Sequence, residues 1–290
     1  EVWREKAQQY LYANEFAIKK YRELCKNIDC DFQDAPAFVY STNDRAKIEN
    51  EVSAVKKLGF DAEFVSNLNL PFNVVGAIQF KNQAQFNPLK FINTIAKDLI
   101  IYENTMVKKI ENNIITTESG KVIAEKVVIA THFPFINTHG SYFVKLYQQR
   151  SYVLALEGAS NLGGMYIDEK ENGLSFRNYK NLLLFGGCGH RTGHPGGGYK
   201  ALRELSSKIY PNAHESYFWA TQDCMSLDKI PYIGRYSANT PNLFVATGFN
   251  KWGMTSSMVS SEILSDMILG KKNEYQDVFS PQRSIIKKQF

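Results

Sequence analysis

Apolar residues recur at helical spacing in several stretches, which predicts amphipathic helices. Pro88 stands at the first position of one of them, where proline is tolerated. Gly59 and Gly270 directly follow two others, as glycine commonly does at helix C-termini. The predicted helices are residues 1–28, 43–58, 87–98, 199–210 and a last helix that carries Val259, Ile263, Leu264, Met267 and Ile268 on one face.

Two stretches, 126–131 and 242–247, are continuously apolar, as expected for strands covered on both faces of a parallel sheet. Further strand candidates, separated or interrupted by turn residues, lie in 37–41, 74–80, 105–110, 114–117, 142–156 and 164–185. The pattern predicts a mixed α/β protein of two interleaved domains, one of them built on an antiparallel sheet. The polar residues 272–290 are expected to form an exposed tail.

Composition narrows the class of protein. Of 290 residues, 44% are hydrophobic and 22% are charged, the range of a globular protein, and no apolar run approaches the length of a membrane span. The net charge is +5, and Lys and Arg are spread along the chain, which argues against a nucleic-acid footprint. The four cysteines are sparse and form no CxxC pair, which favours free thiols in a reducing cytoplasm.

The glycine-rich stretch 186–200 invites three motif interpretations. As a P-loop it has Tyr199 where Lys is needed. As a dinucleotide fingerprint it lacks the third glycine, and as a metal site Cys188, His190 and His194 lack a fourth ligand at familiar spacing. We expect no metal here, and we interpret the stretch as a mobile loop after strand 182–185. On such a loop His190 and Arg191 could face a cleft.

Residues 244–257 predict the end of a buried strand, a glycine-bearing turn and the start of a helix. Glycines at 248 and 253 would let a flat ligand approach the backbone closely. A helix N-terminus offers unpaired N–H groups and partial positive charge, and Thr255, Ser256 and Ser257 add hydroxyl groups. Such a unit suits a planar group with negative charge, such as a reduced flavin.

Four segments in order resemble the D-amino acid oxidase-like FAD-dependent oxidoreductases, the group of glycine oxidase and sarcosine oxidase. The segment 242–255 is similar to their C-terminal flavin-binding segment, and 86–91 to the Pro-initiated helix before their FAD-domain meander. The strand at 127–131 resembles one ending in Ala-Thr-Gly, and Asp228-Lys-Ile-Pro-Tyr-Ile-Gly234 resembles an Asp-x-x-Pro-x-Ile-Gly element beside the flavin.

The chain also departs from that family. The family opens with a strand, a Gly-x-Gly-x-x-Gly turn, a helix and an acidic residue for the ribose, and this sequence has none of them. His132 replaces the glycine after Ala130-Thr131. Because the sequence starts at Glu1 without a helix cap, we expect a fragment that lacks the phosphate-binding half of the FAD site. As isolated, such a fragment would bind FAD weakly or not at all.

The resemblance implies a division of the chain. Residues 1–30, 86–135 and 230–271 would form a partial FAD-binding domain, and residues 31–85 and 136–229 a substrate domain. Val107 would lie near the adenine, Ala130 and Thr131 near the pyrophosphate, and Gly234 beside the flavin ring. The residues expected to line the flavin are Gly248, Phe249, Asn250, Trp252, Gly253, Met254 and Thr255.

The implied reaction is hydride transfer from the carbon of an amine or amino acid to the flavin, which carries the difficult chemistry. A guanidinium would clamp a substrate carboxylate. Arg191 is the first candidate and Arg150 the second, with His190 beside them. Two alternatives remain open: a non-catalytic ligand-binding or interaction domain that keeps the fold, and a nucleotide-dependent transferase that uses the 186–200 loop. The oligomeric state is not indicated.

Overall fold

The computed structural model describes residues 2–136 and 139–284, with the side chains of residues 2 and 3 excepted. Glu1, residues 137–138 of the predicted substrate segment and residues 285–290 of the predicted tail lie outside the described residues. The chain divides into two compact units. The first comprises residues 1–30, 88–147 and 223–290, and the second comprises residues 31–87 and 148–222. The assignment of an FAD role and a substrate role to these pieces stays a prediction.

The elements follow the predicted pattern closely. The helices are α1 (Val2–Leu24), α2 (Arg45–Lys57), α3 (Pro88–Ile95), α4 (Gly198–Ile209), α5 (Gly253–Ile268) and α6 (Gln276–Phe279), with short 3-10 turns at Cys25–Asn27 and Tyr142–Val144. The strands are β1 (Gln33–Asp34), β2 (Ala37–Ser41), β3 (Glu63–Val65), β4 (Gly76–Phe80), β5 (Ala84–Gln85), β6 (Val107–Glu111), β7 (Ile114–Thr117), β8 (Lys121–Ile123), β9 (Val127–Ile129), β10 (Leu146–Glu157), β11 (Met165–Asp168), β12 (Ser175–Tyr179), β13 (Leu182–Arg191), β14 (His214–Ser226), β15 (Tyr232–Arg235) and β16 (Leu243–Thr247).

The first unit is built on a sheet of order β15-β16-β9. Strands β9 and β16 pair in parallel, with Leu243 opposite Val127, which confirms the parallel pairing predicted for the two continuously apolar stretches. Strand β16 is buried along its whole length, whereas Val128 of β9 is 42% exposed, so the prediction that both faces are covered is wrong for β9. Helix α5 packs on this sheet through Val259 and Ile263, and α1 packs on α5 through its fully buried Ala13 and Ala17. Small side chains at these positions let the two helices approach closely. A separate β6-β7-β8 meander completes the unit.

The second unit contains most of an eight-stranded sheet of order β14-β10-β13-β12-β11-β2-β4-β3. From β10 to β3 its pairs are antiparallel apart from β2 and β11, which run in parallel. One face carries an aromatic core of residues such as Tyr40, Phe176 and Phe185, against which Leu202 of α4 packs. Helix α2 buries Ile48, Val52 and Val55 against Ile78 of the sheet. Burial of these side chains supplies the main favourable free energy of folding.

Four predictions about elements are wrong. Residues 142–144 form a 3-10 turn, so the strand begins only at Leu146. Strand β13 continues to Arg191, so the first part of the glycine-rich stretch is strand and not loop. Strand β14 was not predicted, because its first residues are exposed on both faces and show no alternation.

The fourth error concerns the tail. Within 272–284, α6 buries Val278 and Phe279, which are 3% and 1% exposed. Arg283 donates hydrogen bonds to both carboxylate oxygens of Asp228 at 2.7 and 2.9 Å. This segment is therefore part of the first unit and not an exposed tail. The polar composition of this segment predicted exposure, but Arg283 can be buried because its guanidinium and the Asp228 carboxylate satisfy each other's hydrogen bonds.

The four cysteines are free thiols. Among the described residues, no group of three or more His, Cys, Asp or Glu side chains is arranged to hold a metal ion. A search of the same residues finds no helix with the length and hydropathy needed to span a membrane.

Candidate functional site

A cavity of about 120 Å³ lies in the first unit, where the parallel strands β9 and β16 end. Its lining comes from the residues that follow β9 and from the end of β16 with the turn after it. These residues are Ala130, His132, Ala246, Thr247, Gly248 and Phe249. In open α/β sheets, ligands bind outside the carboxyl ends of the parallel strands. The position of the cavity is therefore that of a ligand site.

Gly248 forms the floor of this turn and has to be glycine. Its φ of +69° is in the left-handed region, which side chains other than glycine rarely occupy. A Cβ atom there would also lie 3.0 Å from Cδ2 of Leu146 and 3.3 Å from Cβ of Ser226. The turn thus presses its backbone against the underlying core and leaves the cavity side open.

A buried polar network fixes the turn from below. The Asn250 side chain accepts a hydrogen bond from the Ser226 backbone N–H at 3.0 Å and donates to the Gly248 carbonyl at 3.1 Å. The Asn250 backbone N–H donates to the Cys224 carbonyl at 2.9 Å. Asn250 is 8% exposed, so its side-chain amide serves the protein interior.

The start of α5 presents backbone donors. Within the described part of the chain, no side chain caps the helix at Trp252, and the first helical bond runs from the Ser256 N–H to the Trp252 carbonyl at 3.0 Å. The N–H groups of Gly253, Met254 and Thr255 precede that bond, and a helix start carries partial positive charge. Trp252 and Met254 are 52% and 45% exposed. This arrangement favours an anionic or carbonyl-bearing ligand.

Gly253 has no reason in the protein to be glycine. A Cβ atom on it would meet no atom of the described residues within 4 Å, and its φ is not positive. Glycine costs about 1 kcal/mol in a helix relative to Ala, so its presence here calls for another cause. Open space in front of an uncapped helix start fits close approach by a flat ligand.

Tyr21 of α1 supports the same helix start from within the unit. Its hydroxyl donates to the Met254 carbonyl at 3.0 Å and lies 3.0 Å from Oγ of Ser257. Burial raises the pKa of Tyr21, and the hydrogen bond to Ser257 opposes that shift. The phenol therefore stays protonated and keeps its hydrogen bond. Tyr21 was not among the predicted site residues, because nothing local links it to a helix 233 residues away.

His132 occupies the position at which the resemblance leads one to expect glycine. Its φ is +65°, so the backbone keeps the left-handed conformation that glycine would adopt. Its carbonyl accepts a hydrogen bond from the Thr247 hydroxyl, which ties the two strand ends together across the cavity. Thr247 and His132 line the cavity but were absent from the predicted set.

Other predicted cofactor residues lie away from the cavity lining. Val107 begins β6 of the meander, and Thr131 is exposed, with its hydroxyl donating to the Phe133 carbonyl at 3.1 Å. Gly234, in β15, has a φ of +140°, and a Cβ there would lie 3.1 Å from Cδ of Pro281. Gly234 therefore faces the packing of the C-terminal segment.

In the second unit, β10 and β13 bring Arg150, His190 and Arg191 together. Arg150 pairs with His190 in the antiparallel register, and Gln149 pairs with Arg191. Arg150 donates to the Gln222 side-chain oxygen at 3.0 Å. Both arginines are exposed. The sequence placed these residues about 40 positions apart, and only strand pairing makes them neighbours.

His190 is held in one tautomer. Its Nδ1 lies 3.1 Å from the Arg191 carbonyl, which can only accept, so Nδ1 carries the proton. In the neutral ring, Nε2 then accepts from the Tyr152 hydroxyl at 2.9 Å. Gly196 covers the ring closely, since a Cβ there would lie 2.3 Å from Cγ of His190. One glycine of the stretch is thus explained by close packing and not by phosphate binding.

Comparison with known proteins defines the class. Residues 2–267 match the family described as FAD dependent oxidoreductase, and the chain belongs to that family. Two solved structures share its fold. Glycine oxidase from Geobacillus kaustophilus matches at a TM-score of 0.80 and 18% identity, and the match covers 95% of this chain and 82% of that one. L-proline dehydrogenase from P. horikoshii matches at a TM-score of 0.76 and 19% identity, and the match covers 93% of this chain and 82% of that one. The resemblance and the fold predicted from sequence are confirmed.

Two curated relatives are longer than this chain. A putative Rieske 2Fe-2S iron-sulfur protein, YhfW, from Bacillus subtilis (strain 168) is 36% identical over 298 residues, which cover 96% of this chain and 58% of that protein. A D-amino acid dehydrogenase from Neisseria meningitidis serogroup A is 22% identical over 230 residues, which cover 73% of this chain and 53% of that protein. The chain thus spans somewhat more than half the length of these relatives.

Proposed function

We propose that this chain supplies the flavin-ring side of an FAD-dependent oxidoreductase that oxidises an amine or an amino acid. The observation that carries the proposal is the cavity at the ends of β9 and β16, together with the uncapped start of α5, which follows the cavity-lining turn along the chain. The backbone conformation at Gly248 and the open space at Gly253 fit a flat ring lying on the backbone. When bound, FAD supplies the acceptor for the hydride of the substrate.

The chain's own residues would orient and polarise that ring. The N–H groups of Gly253, Met254 and Thr255 would donate to carbonyl oxygens of the flavin, and the helix dipole would favour negative charge there. Trp252 and Met254, which are exposed, would cover the ring and exclude water. Tyr21 and Asn250 would hold the helix start and the turn in place.

For the substrate, we assign Arg191 as the carboxylate clamp, with Arg150 as second candidate. Their exposure and their adjacency on paired strands support this assignment, because a planar guanidinium binds a carboxylate with two parallel hydrogen bonds. His190, hydrogen-bonded to Tyr152, would stiffen the strand that carries Arg191. In the full-length protein, Arg191→Met should raise KM for an amino-acid substrate at least tenfold with little change in kcat, and an unchanged KM would remove Arg191 from the site.

We further assign the phosphate-binding part of the FAD site to a dinucleotide-binding unit outside the described segment. Strand β9 lies at the edge of its sheet, with Val128 42% exposed, and can accept a further parallel strand. In the same unit, the residues Leu99, Ile100, Ile101 and Tyr102 are 61–87% exposed, as an apolar surface made to be covered would be. The greater length of the curated relatives supports this assignment.

The test uses Gly253→Val in the full-length protein. A Cβ atom at this position meets no atom of the described residues within 4 Å, so the fold should persist, but the valine side chain would fill the space proposed for the flavin ring. We expect flavin absorbance near one equivalent in the wild type and at least tenfold weaker FAD affinity in the variant.

Ser265→Val, at an exposed position of the same helix, is the matched control and should retain the flavin. A wild-type protein that takes up no flavin on reconstitution would favour the non-catalytic alternative. Equal flavin content in the wild type and in Gly253→Val would place the ring elsewhere.

A further inference from the structure

Strand β14 is the outer strand of the eight-stranded sheet, and its first part is unusually bare. His214–Thr221 are all exposed, including Tyr217 at 64%, Phe218 at 55% and Trp219 at 38%. Among the described strands, none pairs with the outer edge of β14. Charged residues and proline protect such edges in proteins; this stretch carries no Lys, Arg or Pro, and its one acidic residue, Glu215, pairs with Arg203.

The strand is nevertheless held firmly from one face. The Phe218 ring packs edge-on against Tyr199 of α4, with ring centroids 5.1 Å apart, and lies beneath the Arg203 guanidinium at 4.8 Å. Arg203 in turn donates two hydrogen bonds to Glu215 at 2.7 and 2.8 Å. Because side chains alternate along a strand, Tyr217 and Trp219 share one face of it. The edge is thus preformed, since α4 holds it through Phe218 and Glu215.

We propose that this edge pairs antiparallel with the same edge of a second copy of the chain, about a two-fold axis at Phe218. In this register the sequence is complementary to itself: rings face rings, small residues face small residues, and the acidic residue faces a neutral one. The cross-strand pairs are Tyr217 with Trp219, Ser216 with Ala220, Glu215 with Thr221 and His214 with Gln222. The eight-stranded sheet then continues into its copy.

The neighbouring registers are worse. An axis at Trp219 places Glu215 opposite Asp223, and like charges directly opposite each other are destabilising. An axis at Tyr217 places Ser216 against Phe218 and leaves Trp219 against Glu215. Aromatic cross-strand pairs are among the most favourable in antiparallel sheets. The axis at Phe218 pairs aromatic residues with each other and places no like charges opposite each other.

The size of the contact is adequate. A specific interface buries about 1,000 Å² or more in total. Six aromatic side chains of about 150–250 Å² each, exposed by 38–64%, supply roughly half of that area. The paired backbones and the polar side chains along nine residues on each strand provide the rest. Isologous contacts of this kind are the commonest route to dimers.

The test replaces Tyr217 and Trp219 with charged residues and measures dimerisation by sedimentation equilibrium over a range of protein concentrations. The wild type should sediment as a reversible dimer. Tyr217→Lys with Trp219→Lys puts lysine opposite lysine twice and should weaken dimerisation about 100-fold. Tyr217→Lys with Trp219→Glu puts lysine opposite glutamate in this register, and should dimerise about tenfold more tightly than the double-lysine variant.

We expect both variants to fold, because neither Tyr217 nor Trp219 is buried in the sheet. Thermal unfolding of the monomeric state, monitored by circular dichroism, checks this. A wild type that stays monomeric at all concentrations would overturn the proposal, and so would a dimer that the double lysine variant leaves intact. Failure of the glutamate variant to recover would overturn the register. None of these outcomes depends on flavin, so they are separate from the test of the proposed function.

Discussion

At the scale of single residues, the Asn250 side chain decides the geometry of the cavity floor. Its amide satisfies the buried Ser226 N–H and the Gly248 carbonyl, and its backbone adopts a φ of +54°. Asn250→Ala leaves these groups unpaired and adds strain at the positive φ, so we expect a loss of about 2–4 kcal/mol in the free energy of unfolding. Urea denaturation measures this loss.

The matched control is Asn104→Ala. Asn104 has a similar φ of +52° but is exposed, so its replacement carries only the backbone cost. We expect the Asn250 variant to lose about 1–3 kcal/mol more than the Asn104 variant. Equal losses would show that the buried amide contributes nothing beyond its backbone conformation.

At the scale of elements, Arg283 fastens the C-terminal segment to the loop before β15. Its guanidinium lies 3.8 Å above the Tyr232 ring and pairs with Asp228, and the two side chains are 10% and 4% exposed. Arg283→Met leaves a buried carboxylate without its cation, which costs about 3–5 kcal/mol in unfolding free energy. The double variant Arg283→Met with Asp228→Leu should cost clearly less than the two single changes added together.

A double-mutant cycle in urea measures that coupling. Residues in one ion pair usually couple by about 0.5–3 kcal/mol, whereas distant residues add within about 0.5 kcal/mol. Arg235→Met provides a comparison on an exposed arginine of β15. Strict additivity of the Arg283 and Asp228 changes would mean that their contact does not stabilise the segment.

At the scale of the whole molecule, buried tyrosines in both units govern stability at high pH. Burial raises the pKa of Tyr210 and of Tyr232 to about 12 from an ordinary value of 10.0. Each phenol holds its proton more tightly when folded, so its contribution to stability is complete below pH 10. That contribution is lost as pH rises, because the unfolded chain releases these protons first.

We therefore expect the thermal midpoint to fall steeply between about pH 10 and pH 12. Tyr210→Phe and Tyr232→Phe should each flatten that fall, while Tyr12→Phe, whose ring is 45% exposed, should leave it unchanged. Tyrosinate absorbance recorded during unfolding measures the protons released. A fall of the same slope in all three variants would show that other groups control alkaline unfolding.

Local sequence patterns were sufficient to predict the elements whose conformation depends mainly on their own residues. The spacing of apolar positions predicted α2, α3, α4 and α5 to within a few residues, and unbroken apolar runs predicted the parallel pair β9 and β16. The glycine turn after β16 was equally predictable, because glycine adopts a positive φ, as at Gly248, without steric cost. The sequence by itself thus determined the class of fold and one edge of the candidate site.

Other features depended on partners far along the chain. The neighbours Arg150 and His190 meet through strand register, Tyr21 reaches Met254 from a different helix, and Arg283 finds Asp228 across 55 residues. Strand β14 owes its conformation to its pairing with β10 and not to its own polar pattern. Only the tertiary structure decided these points, because hydrogen-bond partners and burial are fixed by which segments pack together, and single-residue preferences leave that choice open.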